Sequence, residues 1–191
     1  MPSLKREELY KLRLQVGYVF QFAALFDSMT IAENLAMGLE KQGGHSVDDI
    51  KKRVRESLEL VELEGFEDRM PAELSGGQRK RAGLARAIAF RPKYLLYDEP
   101  TSGLDPVTTT VIDRLILKMK RELGVTSLVI THDMESAYQV SDRIAMLYEG
   151  RVLEEGTPDE IRNTKNQIVQ GFIEGKPELV DSGTAGGEKK L

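Results

Sequence analysis

Asp98 and Glu99 stand side by side after four apolar residues, Tyr94-Leu95-Leu96-Tyr97. Such a run reads as a short buried strand, so both carboxylates fall at its C-terminal tip, the edge where open α/β sheets bind ligands. An aspartate there can hold Mg²⁺ with water completing the shell, and a glutamate can orient or deprotonate a water for attack on a terminal phosphate. Leu74-Ser75-Gly76-Gly77-Gln78 precedes a helix. Two glycines let backbone N–H groups approach an anion, and the helix aims its positive dipole end at the same spot. The same residues also suit an ordinary helix start capped by Ser75, and Asp-Glu-Pro also suits a surface turn. His132 follows the apolar stretch Ser127–Thr131, where an imidazole can donate to a phosphate or an attacking water. Gln21 ends another apolar stretch, where its amide could reach a metal or water. His45, the one other histidine, sits in a Gly-rich polar turn and is given no role.

The elements that must position these groups alternate. Residues 15–21 (QVGYVFQ) read as a strand, and residues 30–63 turn helical, with Gly43-Gly44 between two helical pieces. Ile50, Val54, Leu58 and Val61 share one apolar stripe. A helix is expected over 78–90, a strand over 94–97, a helix over 107–123 and a strand over 127–131. A helix at 135–140, strands at 143–148 and 151–154, and a helix opened by Thr157-Pro158-Asp159-Glu160 complete the series. From about residue 175 the composition turns to Gly, Ser, Lys and Glu, and a disordered tail over 175–191 is expected. Strands alternating with helices predict an α/β layer fold with a mostly parallel sheet.

Composition narrows the class. With 191 residues, 40% hydrophobic and 30% charged, the chain has the make-up of one soluble globular domain. A net charge of −4 points away from nucleic acid as the main partner. No cysteine is present, so disulfides and thiolate metal sites are excluded. No apolar run approaches the roughly 20 residues that cross a bilayer, and the charged segment at residues 1–12 is unlike a signal peptide. A cytoplasmic protein that reaches a membrane through a partner is expected.

Order and spacing together carry a resemblance. From about Val16 to Gly156 the sequence resembles the ABC ATPases. Gln21 matches their Q-loop, Leu74–Gln78 their signature and Asp98 their Walker B aspartate. Glu99 matches the catalytic glutamate, Ser102-Gly103-Leu104-Asp105 the D-loop and His132 the switch histidine. The resemblance implies the P-loop NTPase fold over residues 1–174, with a helical subdomain near 27–90. It also implies a head-to-tail dimer holding two ATP molecules. Ser75, Gly76, Gly77 and Gln78 would then touch the ATP bound by the partner subunit. Glu99 would act as general base, Asp98 would hold Mg²⁺ through water, Gln21 would sense that metal, His132 would clamp the γ-phosphate, and Asp105 would speak across the dimer. An integral membrane permease would be driven by closure and reopening, placing the subunit on the inner face of the cell membrane.

Within that family, Val19–Met29, the helix Gly77–Ile88 and Ile168–Gly175 look like the Mla-type branch, which moves phospholipid with a permease and a lipid-binding substrate protein. The alternatives are another importer, such as one for polar amino acids, and a non-catalytic interaction subunit. A DNA-repair or chromosome ATPase would need a long coiled coil, whereas only 52 residues without sustained heptads separate Gln21 from Leu74. The family's Gly-x-x-x-x-Gly-Lys-Ser/Thr P-loop is not in the sequence, nor is an adenine-stacking aromatic identifiable. Truncation is the expectation favoured over a naturally short protein, with no hydrolysis by the chain alone and some apolar sheet surface left uncovered.

Overall fold

The computed structural model of the protein describes residues 5–179. The chain divides between His132 and Asp133 into two compact units. In the first unit, α1 (Arg6–Arg13) leads into β1 (Val16–Val19), followed by helices α2 (Ile31–Gln42), α3 (Val47–Leu60) and α4 (Gly76–Ile88). Then come β2 (Tyr94–Asp98), α5 (Pro106–Leu123) and β3 (Thr126–Ile130). A short 3₁₀ turn, Pro71–Glu73, precedes α4.

The three strands form a parallel sheet in the order β1-β2-β3. Tyr18 stands opposite Leu96, and Leu96 opposite Leu128, so strands far apart in sequence end at one edge. Parallel strands need long crossovers, and residues 31–88 serve as one. Alternation sorts the faces. Val19, Leu95 and Tyr97 are buried with the apolar sides of α4 and α5, whereas Tyr18, Leu128 and Ile130 are exposed. The starts of α2, α3 and α4 are each fixed by a side-chain cap. Thr30, Ser46 and Ser75 accept from the backbone N–H three residues on, and Glu33, Asp49 and Gln78 return the bond to the cap's N–H.

In the second unit, α6 (Met134–Val140) is followed by β4 (Ile144–Tyr148), β5 (Arg151–Gly156), α7 (Pro158–Arg162) and α8 (Gln167–Glu174). β4 and β5 pair antiparallel, with a register shift at Met146/Leu147. Ala137, Ile144, Ile161 and Val169 form its core.

The elements follow the sequence expectation with two adjustments at the site. The helix expected from Gln78 begins at Gly76, because Ser75 caps it. The strand expected over 15–21 ends at Val19, so Gln21 lies in a turn. Ala23 and Ala24 both adopt left-handed backbone there, with φ of 60° and 50°. Residues 180–191 of the expected tail lie outside the described residues.

Candidate functional site

The C-terminal edge of the parallel sheet gathers Gln21, Asp98, Glu99 and His132. Asp98 is the last residue of β2, and its Oδ2 accepts a hydrogen bond from the Tyr18 hydroxyl at 3.1 Å. That bond, more than the burial around it, pushes the Tyr18 phenol above its ordinary pKa. The next residue, Glu99, leaves the strand with φ of 47°. A left-handed residue other than glycine costs about 1–2 kcal/mol, so the surroundings must hold it. Its N–H donates to the Ile130 carbonyl at 2.9 Å, while its carbonyl accepts from the Ser102 N–H at 3.2 Å and from Lys80 Nζ at 3.2 Å. Ser102 Oγ in turn accepts from Gln21 Nε2 at 3.3 Å. The turn thereby ties Gln21 to the segment that carries Glu99.

His132 Nδ1 lies 2.9 Å from Glu99 Oε2. No hydrogen bond is aimed at that buried oxygen, so the two groups are near neighbours and not a formed donor–acceptor pair. The carboxylate side chain is 20% exposed and the imidazole 72%. A water or phosphate oxygen can therefore reach the ring from outside while the carboxylate waits behind it.

A second constellation lies at the start of two helices. Ser75 caps α4 through a reciprocal pair: Gln78 N–H to Ser75 Oγ at 3.3 Å and Ser75 N–H to Gln78 Oε1 at 2.9 Å. Asp105 caps α5, accepting from the N–H groups of Val107 and Thr108 at 3.0 Å and from the Thr108 hydroxyl at 2.5 Å. The Thr108 hydroxyl and N–H hold the Asp105 carboxyl below its ordinary pKa. The two helix starts touch at Gly77, where a Cβ would lie 2.6 Å from Thr108 Cγ2. Between them opens a cavity of about 460 Å³ lined by Ser75, Gly77, Gln78, Arg81, Asp105 and Thr108, among others. Helix N-termini and an arginine at one wall suit an anion.

Behind this wall, α4 grips the turn after Gln21. Gly83 lies against Ala23, where a Cβ would come within 3.1 Å of the Ala23 Cα and Cβ. The Arg86 guanidinium donates to the Ala24 carbonyl and lies over the Phe20 ring at 5.9 Å. Fully buried Asn34 holds the far side, accepting from Phe26 N–H at 2.7 Å and donating to the carbonyls of Phe26, Met29 and Thr30. The aromatic rings stay outside: Phe22 is 86% exposed, and Phe20 and Phe26 nearly half.

Residues 2–102 match the family model described as ABC transporter. The chain belongs to the ABC transporter family. The methionine import ATP-binding protein MetN of Carboxydothermus hydrogenoformans is 46% identical over 174 residues, which is 91% of this chain and 51% of that protein. The sulfate/thiosulfate import ATP-binding protein CysA of Halalkalibacterium halodurans is 45% identical over 163 residues, covering 83% of this chain and 46% of that one. The chain thus spans about half the length of these curated relatives. Among solved structures, the dimeric, post-hydrolysis ATP-binding cassette MJ0796 bound to ADP and Pi superposes with a TM-score of 0.71 at 38% identity. That match covers 82% of this chain and 68% of that one. The α/β fold with a parallel sheet is therefore that of the family's ATP-binding cassettes. The relatives named here import methionine and sulfate, and they lend no support to the Mla-type branch read from the residues after Gln21.

Every site residue named from the sequence lies in one of the two constellations. Tyr18, Lys80 and Thr108 were missed as participants. Tyr18 reaches Asp98 because Tyr18 pairs with Leu96 and shares its face with Asp98, a register that no local pattern reveals. A hydroxyl three residues after the Asp105 cap was the one local signal for Thr108.

Proposed function

We propose that this chain forms the signature-bearing and hydrolytic part of the ATP-binding subunit of an ABC importer for a small polar solute. The observation that carries it is the placing of Glu99 next to His132 at the sheet edge beside Asp98. Here one buried carboxylate oxygen has no donor aimed at it, and an exposed imidazole lies against it. That is the arrangement for taking a proton from water at a phosphate.

Asp98 and the Gln21 side-chain oxygen are hard oxygen donors at one sheet edge, the kind Mg²⁺ accepts while keeping most of its waters. The ion, when bound with nucleotide, would neutralise phosphate charge. Glu99 orients and deprotonates the attacking water, and His132 donates to the γ-phosphate oxygen that gains charge. Ser75 Oγ and the N–H groups near Gly77 face the terminal phosphate of an ATP held by a second subunit. The cavity at the α4 and α5 starts supports this, as does the dimeric state of the ADP- and Pi-bound relative.

The solute class follows the relatives' names, methionine and sulfate import. It replaces phospholipid and a lipid-binding protein as the favoured cargo and partner. The exposed Phe20, Phe22 and Phe26 give an integral membrane permease an apolar surface beside Gln21. Among the described residues no helix is long and apolar enough to cross a membrane, so attachment to the inner face of the membrane rests on that permease. The test uses a subunit carrying these 191 residues together with a P-loop segment. Glu99→Gln is expected to lower steady-state ATP hydrolysis by about 10²–10⁴-fold and to leave nucleotide affinity unchanged. Hydrolysis at the unmodified rate would refute the assignment.

A further inference from the structure

We propose that Lys80 is a positioning residue for Glu99: its ammonium, projecting from the signature helix α4, holds the Glu99 carbonyl and so fixes the left-handed turn that aims the carboxylate at His132. Lys80 lies in the second turn of α4, two residues beyond Gln78, and its Nζ is 3.2 Å from the Glu99 carbonyl oxygen. It binds the backbone, so the carboxylate remains available for chemistry. Glu99 has φ of 47° although it carries a Cβ, and such conformations persist where neighbouring groups over-determine them. Three contacts do so here: Glu99 N–H to the Ile130 carbonyl, Ser102 N–H to the Glu99 carbonyl, and Lys80. The first two belong to the sheet edge and its following turn. Of these three, Lys80 is the one that joins Glu99 to another layer.

The ammonium is half-buried. Burial lowers its pKa and the neighbouring Glu99 charge works the other way. A lysine withdrawn from water toward one carbonyl is well placed to report movement. The helix start that faces the cavity at Ser75–Gln78 and the backbone of Glu99 are thereby linked through one side chain. A shift of α4 on filling of that cavity would reach Glu99 directly. The contact itself needs no nucleotide. Its consequence for turnover rests on the hydrolytic reading above.

Two measurements separate the contact from that reading. The first is NMR of the isotopically labelled 191-residue chain without nucleotide. The Lys80 Nζ–H signal is expected to be protected from solvent exchange, and to stay protected in Glu99→Gln, because the acceptor is the backbone. In Lys80→Met the Glu99 carbonyl ¹³C and His132 ring ¹⁵N resonances should shift while the α4 amides stay in place, and Lys80→Arg should restore them. The second is turnover by the subunit that also carries a P-loop. Lys80→Met should lower kcat by about 10–100-fold with KM unchanged, and Lys80→Arg should recover most of the loss. Unshifted Glu99 and His132 resonances in Lys80→Met, or a rapidly exchanging Lys80 ammonium, would overturn the proposal and leave the hydrolytic reading standing. Shifted resonances alongside full activity of Glu99→Gln would instead uphold the contact and remove the hydrolytic reading.

Discussion

Single side chains set the electrostatics of this site by capping as much as by pairing. Asp105 is fully at the surface, yet the Thr108 hydroxyl, with the N–H groups of Thr108 and Val107, keeps its carboxyl below the usual aspartate value of 3.8. Asp49 and Glu160 are lowered in the same way by Ser46 and Thr157. The sign follows. A carboxyl lowered in the folded state stabilises the fold above its unfolded value, and that contribution fades as pH falls through the lowered folded value. Carboxyl ¹³C titration should therefore place Asp105 below 3.8 in the unmodified chain and move it upward in Thr108→Val, which removes the largest cause. Acid unfolding should begin at a higher pH in that variant. An unmoved Asp105 titration would show that the cap does not set this charge.

At the scale of elements, what was legible depended on whether a signal was local. The apolar run before Asp98 and the helix stop at Gly124 are written within four or five residues, and β2 and the end of α5 formed where those residues predicted, whereas the caps at Thr30 and Ser46 are seen only in the structure and Ser75 starts its helix two residues before the expected Gln78. Gln21 was placed at the end of a strand because nothing in Phe20-Gln21-Phe22-Ala23-Ala24 announces two left-handed alanines. They are held by Gly83 and Arg86, some 60 residues away. The Lys80 contact with Glu99 was hidden for the same reason. The crossing of α4 and α5 is equally non-local, and it gives a sharp test. Gly77→Ala would set a Cβ 2.6 Å from Thr108 Cγ2, and the β-branched threonine has few rotamers with which to give way. Urea unfolding is expected to show a loss of about 1–3 kcal/mol, together with weaker ATP-dependent association of subunits. A fully stable Gly77→Ala variant would mean that the helices separate easily and that the cavity wall is soft.

For the whole molecule, the two constellations are distinct, and the proposed function gives each a different nucleotide. Gln21, Asp98, Glu99 and His132 converge on one sheet edge, while Ser75–Gln78 and Asp105 line a separate cavity. This separation is what a subunit needs if it works on one nucleotide and braces another held by its partner. The sequence contains no cysteine, so engineered thiols report without background. The direct measurement is a disulfide between Ser75→Cys in one subunit and a cysteine placed in the P-loop of another, each subunit carrying these 191 residues and a P-loop segment. With Mg²⁺ and ATP in the Glu99→Gln background, the account predicts a cross-link between subunits that fades when ATP is withheld. A Ser75→Cys thiol that never meets the partner's P-loop, with ATP bound, would contradict it.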